Sequence, residues 1–218
     1  MTPVKYQQLL PPPYLKDYIR YFWVLETEGH VQTSQKLVPV ADGCPGIIFQ
    51  HSSVGNFFDP GHEHLPEIFL YGQTVKPIEL SLGGKFKTTG VCFYPYALKT
   101  IFGLNASELT DSCVDLTLVM NDFKEPLLNA NTVTDQIEIF SSHLHSYIRK
   151  KNYRIDQATE YALSQIVQHK GNLPLRDLQT KLKLSERGFQ RRFDQHVGIS
   201  PKLFSRVCRF QAALAQLK

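Results

Sequence analysis

Short runs rich in aromatic and β-branched side chains recur through the first hundred positions, separated by turn residues. Tyr18–Glu26 (YIRYFWVLE) is the longest, and Gly46–Gln50, Glu67–Tyr71, Ile78–Leu82 and Thr88–Phe93 follow it. Asp42-Gly43, Pro45-Gly46, Asp59-Pro60-Gly61 and Gly83-Gly84 fall between these runs, where turn residues belong. Several short strands at this spacing predict an antiparallel sandwich or barrel. Pro95 then opens a helix predicted to reach Phe102, with Gly103 as its C-terminal stop.

Further along, the period changes to that of a helix. Val133, Ile137, Phe140, Leu144 and Ile148 recur at steps of three or four, behind Thr132 or Thr134 as an N-cap. A second helix is predicted from about Arg154 to Lys170, with Ile155, Ala158, Ala162, Ile166 and Val167 on one side and Gly171-Asn172 ending it. The chain therefore reads as α+β: an N-terminal antiparallel sandwich or barrel-like domain, then helices, then a C-terminal helix pair. The expected divisions are a β-rich sensor domain over 1–118, a helical linker or dimer helix over 119–152, and a helical domain over 153–218.

Charge sharpens this division. Residues 149–218 carry 15 Lys and Arg against 5 Asp and Glu, a net of +10, whereas residues 1–148 carry 9 against 15, a net of −6. A basic end on an acidic body fits a nucleic-acid-binding segment. An apolar fraction of 42% and a charged fraction of 20% are ordinary for a globular chain. No apolar run approaches the roughly 20 residues that span a bilayer. Met1–Pro13 lacks the basic start and apolar stretch of an export signal. Cys44, Cys92, Cys113 and Cys208 show no C-x-x-C spacing, so they read as reduced core thiols of a cytoplasmic protein.

The segment from Leu173 to Pro201 carries the functional signal. Pro174 suits a first helical turn, where its missing N–H would have no intrahelical partner. Leu175, Leu178 and Leu182 form one apolar stripe, Leu184 packs in the turn, and Ser185 is a good N-cap for the next helix. That second helix sets Phe189, Phe193 and Val197 inward and Arg187, Gln190, Arg191 and Asp194 on the opposite arc, with Gly198 closing it in the left-handed region. Two short helices, a tight turn and a basic outer arc make a helix-turn-helix. Arginine donates two bonds to guanine and glutamine pairs both ways with adenine, so Arg187, Gln190 and Arg191 are the candidate base readers. Lys181, Lys183, Arg192 and Lys202 flank the arc as candidate phosphate contacts.

The run L-S-E-R-G-F-Q-R-R-F from Leu184 to Phe193, followed by G-I-S-P up to Pro201, resembles the first helix-turn-helix of the AraC-type regulators. The resemblance implies bacterial transcription regulation, with base contacts at Arg187, Gln190 and Arg191. Gly188 departs from the pattern, since a bulkier residue is usual there and glycine weakens a helix interior by up to ~1 kcal/mol. Such regulators carry a linker helix, here Pro201 to Leu217 with Phe204, Phe210 and Leu214 as packing residues, and then a second helix-turn-helix. By that resemblance the second unit is expected to begin where the sequence reaches Lys218, so either the chain is a truncation or it works with half of the usual reader. Ending there, the chain is expected to bind specific DNA weakly unless that unit is restored or a homodimer supplies a second recognition helix. Pro12 to Glu26, Pro39 to Phe49 and Gly90 to Pro95 resemble a group of AraC-type regulators whose uncharacterised N-terminal domain is cupin-like.

Other residues invite chemistry less well. His62-x-His64-x-x-Glu67 is similar to a cupin metal motif, but the glutamate is too close and no second histidine motif follows. No metal and no cofactor are expected. His143 and His145 lie two apart on a helix and point different ways. Trp23, Phe57 and Tyr94 are the candidate lining of a small-molecule effector pocket. No nucleophile–base pair, phosphate loop or dinucleotide fingerprint is present, so an enzyme is not expected. The reading is a sequence-specific regulator of double-stranded DNA with a sensing N-terminal domain. Two alternatives stay open: a metal-dependent cupin enzyme with a helical appendage, and a protein-interaction module whose helix-turn-helix does not read DNA.

Overall fold

A computed structural model describes residues 4–27, 35–37, 40–50, 57–58, 65–76, 80–82 and 87–217. The strands are β1 (Val4–Leu9), β2 (Ile19–Thr27), β3 (Gln35–Leu37), β4 (Gly46–Gln50), β5 (Phe57–Phe58), β6 (Ile68–Tyr71), β7 (Leu80–Leu82), β8 (Lys87–Phe93) and β9 (Cys113–Asp115). Six of them form an antiparallel sheet in the order β1-β2-β8-β4-β6-β9, and β3-β7-β5 form a second. The helices are α1 (Ala97–Phe102), α2 (Lys124–Leu128), α3 (Val133–Lys151), α4 (Gln157–Gln168), α5 (Leu175–Leu182), α6 (Glu186–His196) and α7 (Pro201–Leu214). The α+β class read from the sequence is the class observed.

Alternation along the strands gives the larger sheet two different faces. Phe22, Ile47, Phe49, Leu70, Val91 and Phe93 point to one side, where Phe140, Leu144 and Ile148 of α3 and Ile101 and Phe102 of α1 cover them. Burying side chains of this size stabilises by about 1.5–3 kcal/mol each, so this cluster is the main core. Trp23, Leu25, Ile48, Phe69 and Tyr71 point to the other side. One irregularity interrupts β2: Ile19 pairs with Phe93 and Tyr21 with Cys92, which leaves Arg20 as an extra residue in a bulge.

Several expectations need correction. Helix α3, expected as a linker or possible dimer helix, buries Phe140, Leu144 and Ile148 of its apolar face in the core of the β sheet. Helix α4 starts later than predicted because Asp156 is its N-cap, accepting from Thr159 N at 2.8 Å. Its buried stripe runs through Thr159, Ala162, Leu163 and Ile166, which leaves Val167 56% exposed. On α7, Phe204 and Val207 are buried but Phe210 is half exposed, because at 100° per residue it falls well off their stripe. Among the described residues no helix is long and apolar enough to cross a membrane.

Candidate nucleic-acid interface

A second core, separate from that of the sheet, holds the C-terminal helices. Ala162, Ile166, Leu178, Phe189, Phe193, Val197, Ile199 and Phe204 are buried in it, joined by Tyr96, the N-cap of α1. The apolar stripes of the sequence thus place α5 and α6 at a fixed angle with a three-residue turn between them. Lys183 makes that turn with φ +53, and its N–H and that of Leu184 return to carbonyls of α5. Ser185 caps α6, its Oγ accepting from Gly188 N at 3.1 Å. A Cβ at 188 would lie 3.1 Å from that same oxygen, so the glycine keeps the cap uncrowded. Gly198 closes the unit with φ +90, and its carbonyl accepts from Thr110 Oγ1 at 2.6 Å, tying the end of α6 to the β domain.

The candidate readers are not equivalent. Arg187 and Arg191 are exposed on α6, and neither makes an ion pair or hydrogen bond among the described residues. Gln190 is half-buried, donates to Asp194 Oδ1 at 3.0 Å, and lines a cleft of about 380 Å³ with Gln179, Phe189 and Lys202. Lys181 is exposed with its Nζ 4.9 Å from the centre of the Tyr161 ring. Lys183 and Lys202 are also exposed. Arg192 is committed within the unit: its Nη1 meets Asp156 Oδ2 at 2.5 Å, against the cap of α4, with the arginine side chain 39% exposed. The pairing is invisible in the sequence because the partners lie in different helices.

Two titrations bear on this unit. Burial holds His196 below its ordinary 6.5, with Lys99 and Arg192 adding to the effect and Asp156 opposing it. Its Nδ1 is buried without a hydrogen-bond partner. Asp156 would be raised by burial, but the bonds from Thr159 and the charge of Arg192 outweigh this and hold it below its ordinary 3.8. A depressed histidine contributes stability that is present above the unfolded value and declines as pH falls through it. A depressed aspartate loses its contribution only in stronger acid. Thermal melts should therefore show the chain less stable at pH 5.5 than at pH 7.5, with a smaller loss in His196→Asn. Equal losses in both proteins would remove His196 from this account.

Of the candidate effector-pocket residues, the structure places Trp23 and Tyr94 in different clusters. Trp23 packs with Leu25, Ile48 and Phe69 on one face of the sheet, whereas Tyr94 stacks on Tyr96 at 5.8 Å beside the helical core. The Phe57 side chain, His62 and His64 lie outside the described residues.

The architecture defines the class: a β domain joined through α1 and the 106–109 turn to a helix-turn-helix unit. Residues 7–115 match the model of a family described as a domain of unknown function, DUF6597, and the chain belongs to that family. No curated protein matches the sequence. Among solved structures, unsaturated fatty acid bound wild-type ToxT from Vibrio cholerae is similar in fold, with a TM-score of 0.50 and 10% identity over 90% of this chain and 80% of that one. The AraC-like transcriptional activator CuxR aligns with a TM-score of 0.37 and 14% identity over 98% of this chain and 81% of that one.

Proposed function

We propose that the chain is a transcription regulator that binds double-stranded DNA by laying α6 in the major groove, with the β domain as the part that senses an effector. The observation that carries this reading is the exposed, unpaired Arg187 and Arg191 on the outer arc of a Ser185-capped second helix, within a segment of net charge +10. Such guanidinium forks match guanine edges, and Gln190 beside them matches adenine once released from Asp194. Lys181, Lys183 and Lys202 flank the arc and take the phosphates, while Arg192 braces α6 against α4. The fatty acid bound to ToxT, a protein of similar fold, supports a small-molecule effector for the β domain here.

Phosphate contacts release counterions, so affinity should fall steeply with salt. Titration of double-stranded DNA at several salt concentrations tests this. Each of Lys181→Ala, Lys183→Ala and Lys202→Ala should weaken all sequences alike and lower the salt slope by about one. Arg192→Ala should destabilise the helical unit without that change in slope. Salt-independent binding, or no binding to any duplex, would contradict the proposal.

A further inference from the structure

Among the described residues, one group of potential metal-ligating side chains lies outside the helix-turn-helix, at one end of the sheet face that carries Trp23. Cys44 and Cys92 are buried thiols, and a donor atom from each, with one from Asp42, lie within 4.8 Å of one another. Cys92 sits on β8 between Tyr21 and Gly46 of the neighbouring strands, and Cys44 leads into β4. The Cys92 thiol donates to Asp42 Oδ2 at 3.9 Å, and Cys44 N donates to Asp42 Oδ1 at 3.0 Å. The bulge in β2 aims Arg20 into this group, with Nη1 2.8 Å from Cys44 Sγ.

We propose that Asp42, Cys44 and Cys92 form a binding site for a thiophilic divalent cation of the zinc class. Zinc takes thiolates at ~2.3 Å and carboxylate oxygens at ~2.0–2.2 Å in a tetrahedron, which puts its donors somewhat under 4 Å apart. Atoms already within 4.8 Å of one another need about 1 Å of adjustment to reach that geometry. Charge fits as well. With both thiols protonated, Arg20 and Asp42 balance. When one divalent cation replaces the two thiol protons, the cation and Arg20 balance two thiolates and a carboxylate, so the group stays neutral in either state. The guanidinium N–H to Cys44 is then a donor to a metal-bound sulfur, the kind of outer contact that orients metal ligands. Three protein donors leave the fourth position for a water or for Tyr71, whose hydroxyl lies directly over Gly46.

The site also has a route to the DNA-binding helices. Gly43, between two of the ligands, adopts φ +77, and a Cβ there would lie 2.9 Å from the Phe204 ring of α7. Gln211 of α7 donates to Ala41 O at 2.6 Å. Ordering of residues 41–44 around a metal is thereby passed to α7. This second step rests on the DNA-binding reading above, whereas the metal site does not.

The test is a titration of the full chain, reduced and freed of metal by a chelator, with cobalt(II) as a spectroscopic stand-in. The expected result is one ion per chain with thiolate-to-cobalt charge-transfer absorption, displaced by zinc. Cys92→Ser should abolish the two-thiolate spectrum, and Cys113→Ser with Cys208→Ser should leave it intact. Asp42→Asn, which keeps both thiols, should weaken the affinity about 10-fold or more while retaining thiolate absorption, and it decides the matter should a cysteine variant fail to fold by circular dichroism. No stoichiometric cobalt, or an unchanged spectrum in both Cys92→Ser and Asp42→Asn, would overturn the site. Metal binding that leaves DNA affinity unchanged would retain the site and remove the link through α7.

Discussion

Replacing Arg191 by alanine should cost about 1–3 kcal/mol on the preferred DNA site, roughly fivefold to more than a hundredfold in affinity, and should relax preference at one base position. Arg187→Ala should behave alike at a neighbouring position. Both side chains are exposed and have no polar partner among the described residues, so on the proposed reading their removal deletes base contacts and leaves the fold alone. Gln190→Ala should have a smaller effect, because in the free protein the amide is bonded to Asp194 and that bond must break before adenine is read. Asp194→Ala should then raise the contribution of Gln190. Competition between the preferred duplex and random DNA checks these differences. Equal loss on both DNAs would mean that the arginines only neutralise phosphates.

The largest effect on stability is expected from Phe193→Ala. The ring is fully buried, 5.0 Å from Phe189 and 6.3 Å from Phe204 between ring centres, so it joins α6 to α7 through aromatic contact. Truncating a buried phenylalanine costs about 3–5 kcal/mol, a large share of the roughly 5–15 kcal/mol that holds a typical domain folded. Chemical denaturation should show this loss, with DNA binding falling in parallel as the helical unit opens. Melting in which the helical unit matches the wild type would show that Phe193 is not its keystone.

The sequence made the strands of the main sheet readable where a run is apolar and buried, as in Gly46–Gln50 and Thr88–Phe93, which are buried along their whole length. It did not reveal β1, whose Val4–Gln8 side chains are all exposed, because that strand joins the sheet through backbone pairing that no side-chain pattern announces. The helix-turn-helix was legible because its stripes, cap and turn are local and follow the helical period. The role of α3 was not, since an apolar stripe specifies that something covers it and not what. Arg192–Asp156 and the Asp42–Cys44–Cys92 group were hidden for a shared reason. Their members are brought together by tertiary packing, and for the thiols by the pairing of β4 with β8, so no sequence spacing encodes them.

The most direct test of the central claim is selection of binding sites by the full chain from a pool of random duplexes, run beside the Arg187→Ala/Arg191→Ala variant. DNA reading through α6 predicts that the wild type enriches a short motif containing guanine, and that the variant binds DNA with similar salt dependence while enriching no such motif. An identical motif from both proteins, or no enrichment by the wild type at low salt, would contradict the assignment of α6 as the reading helix.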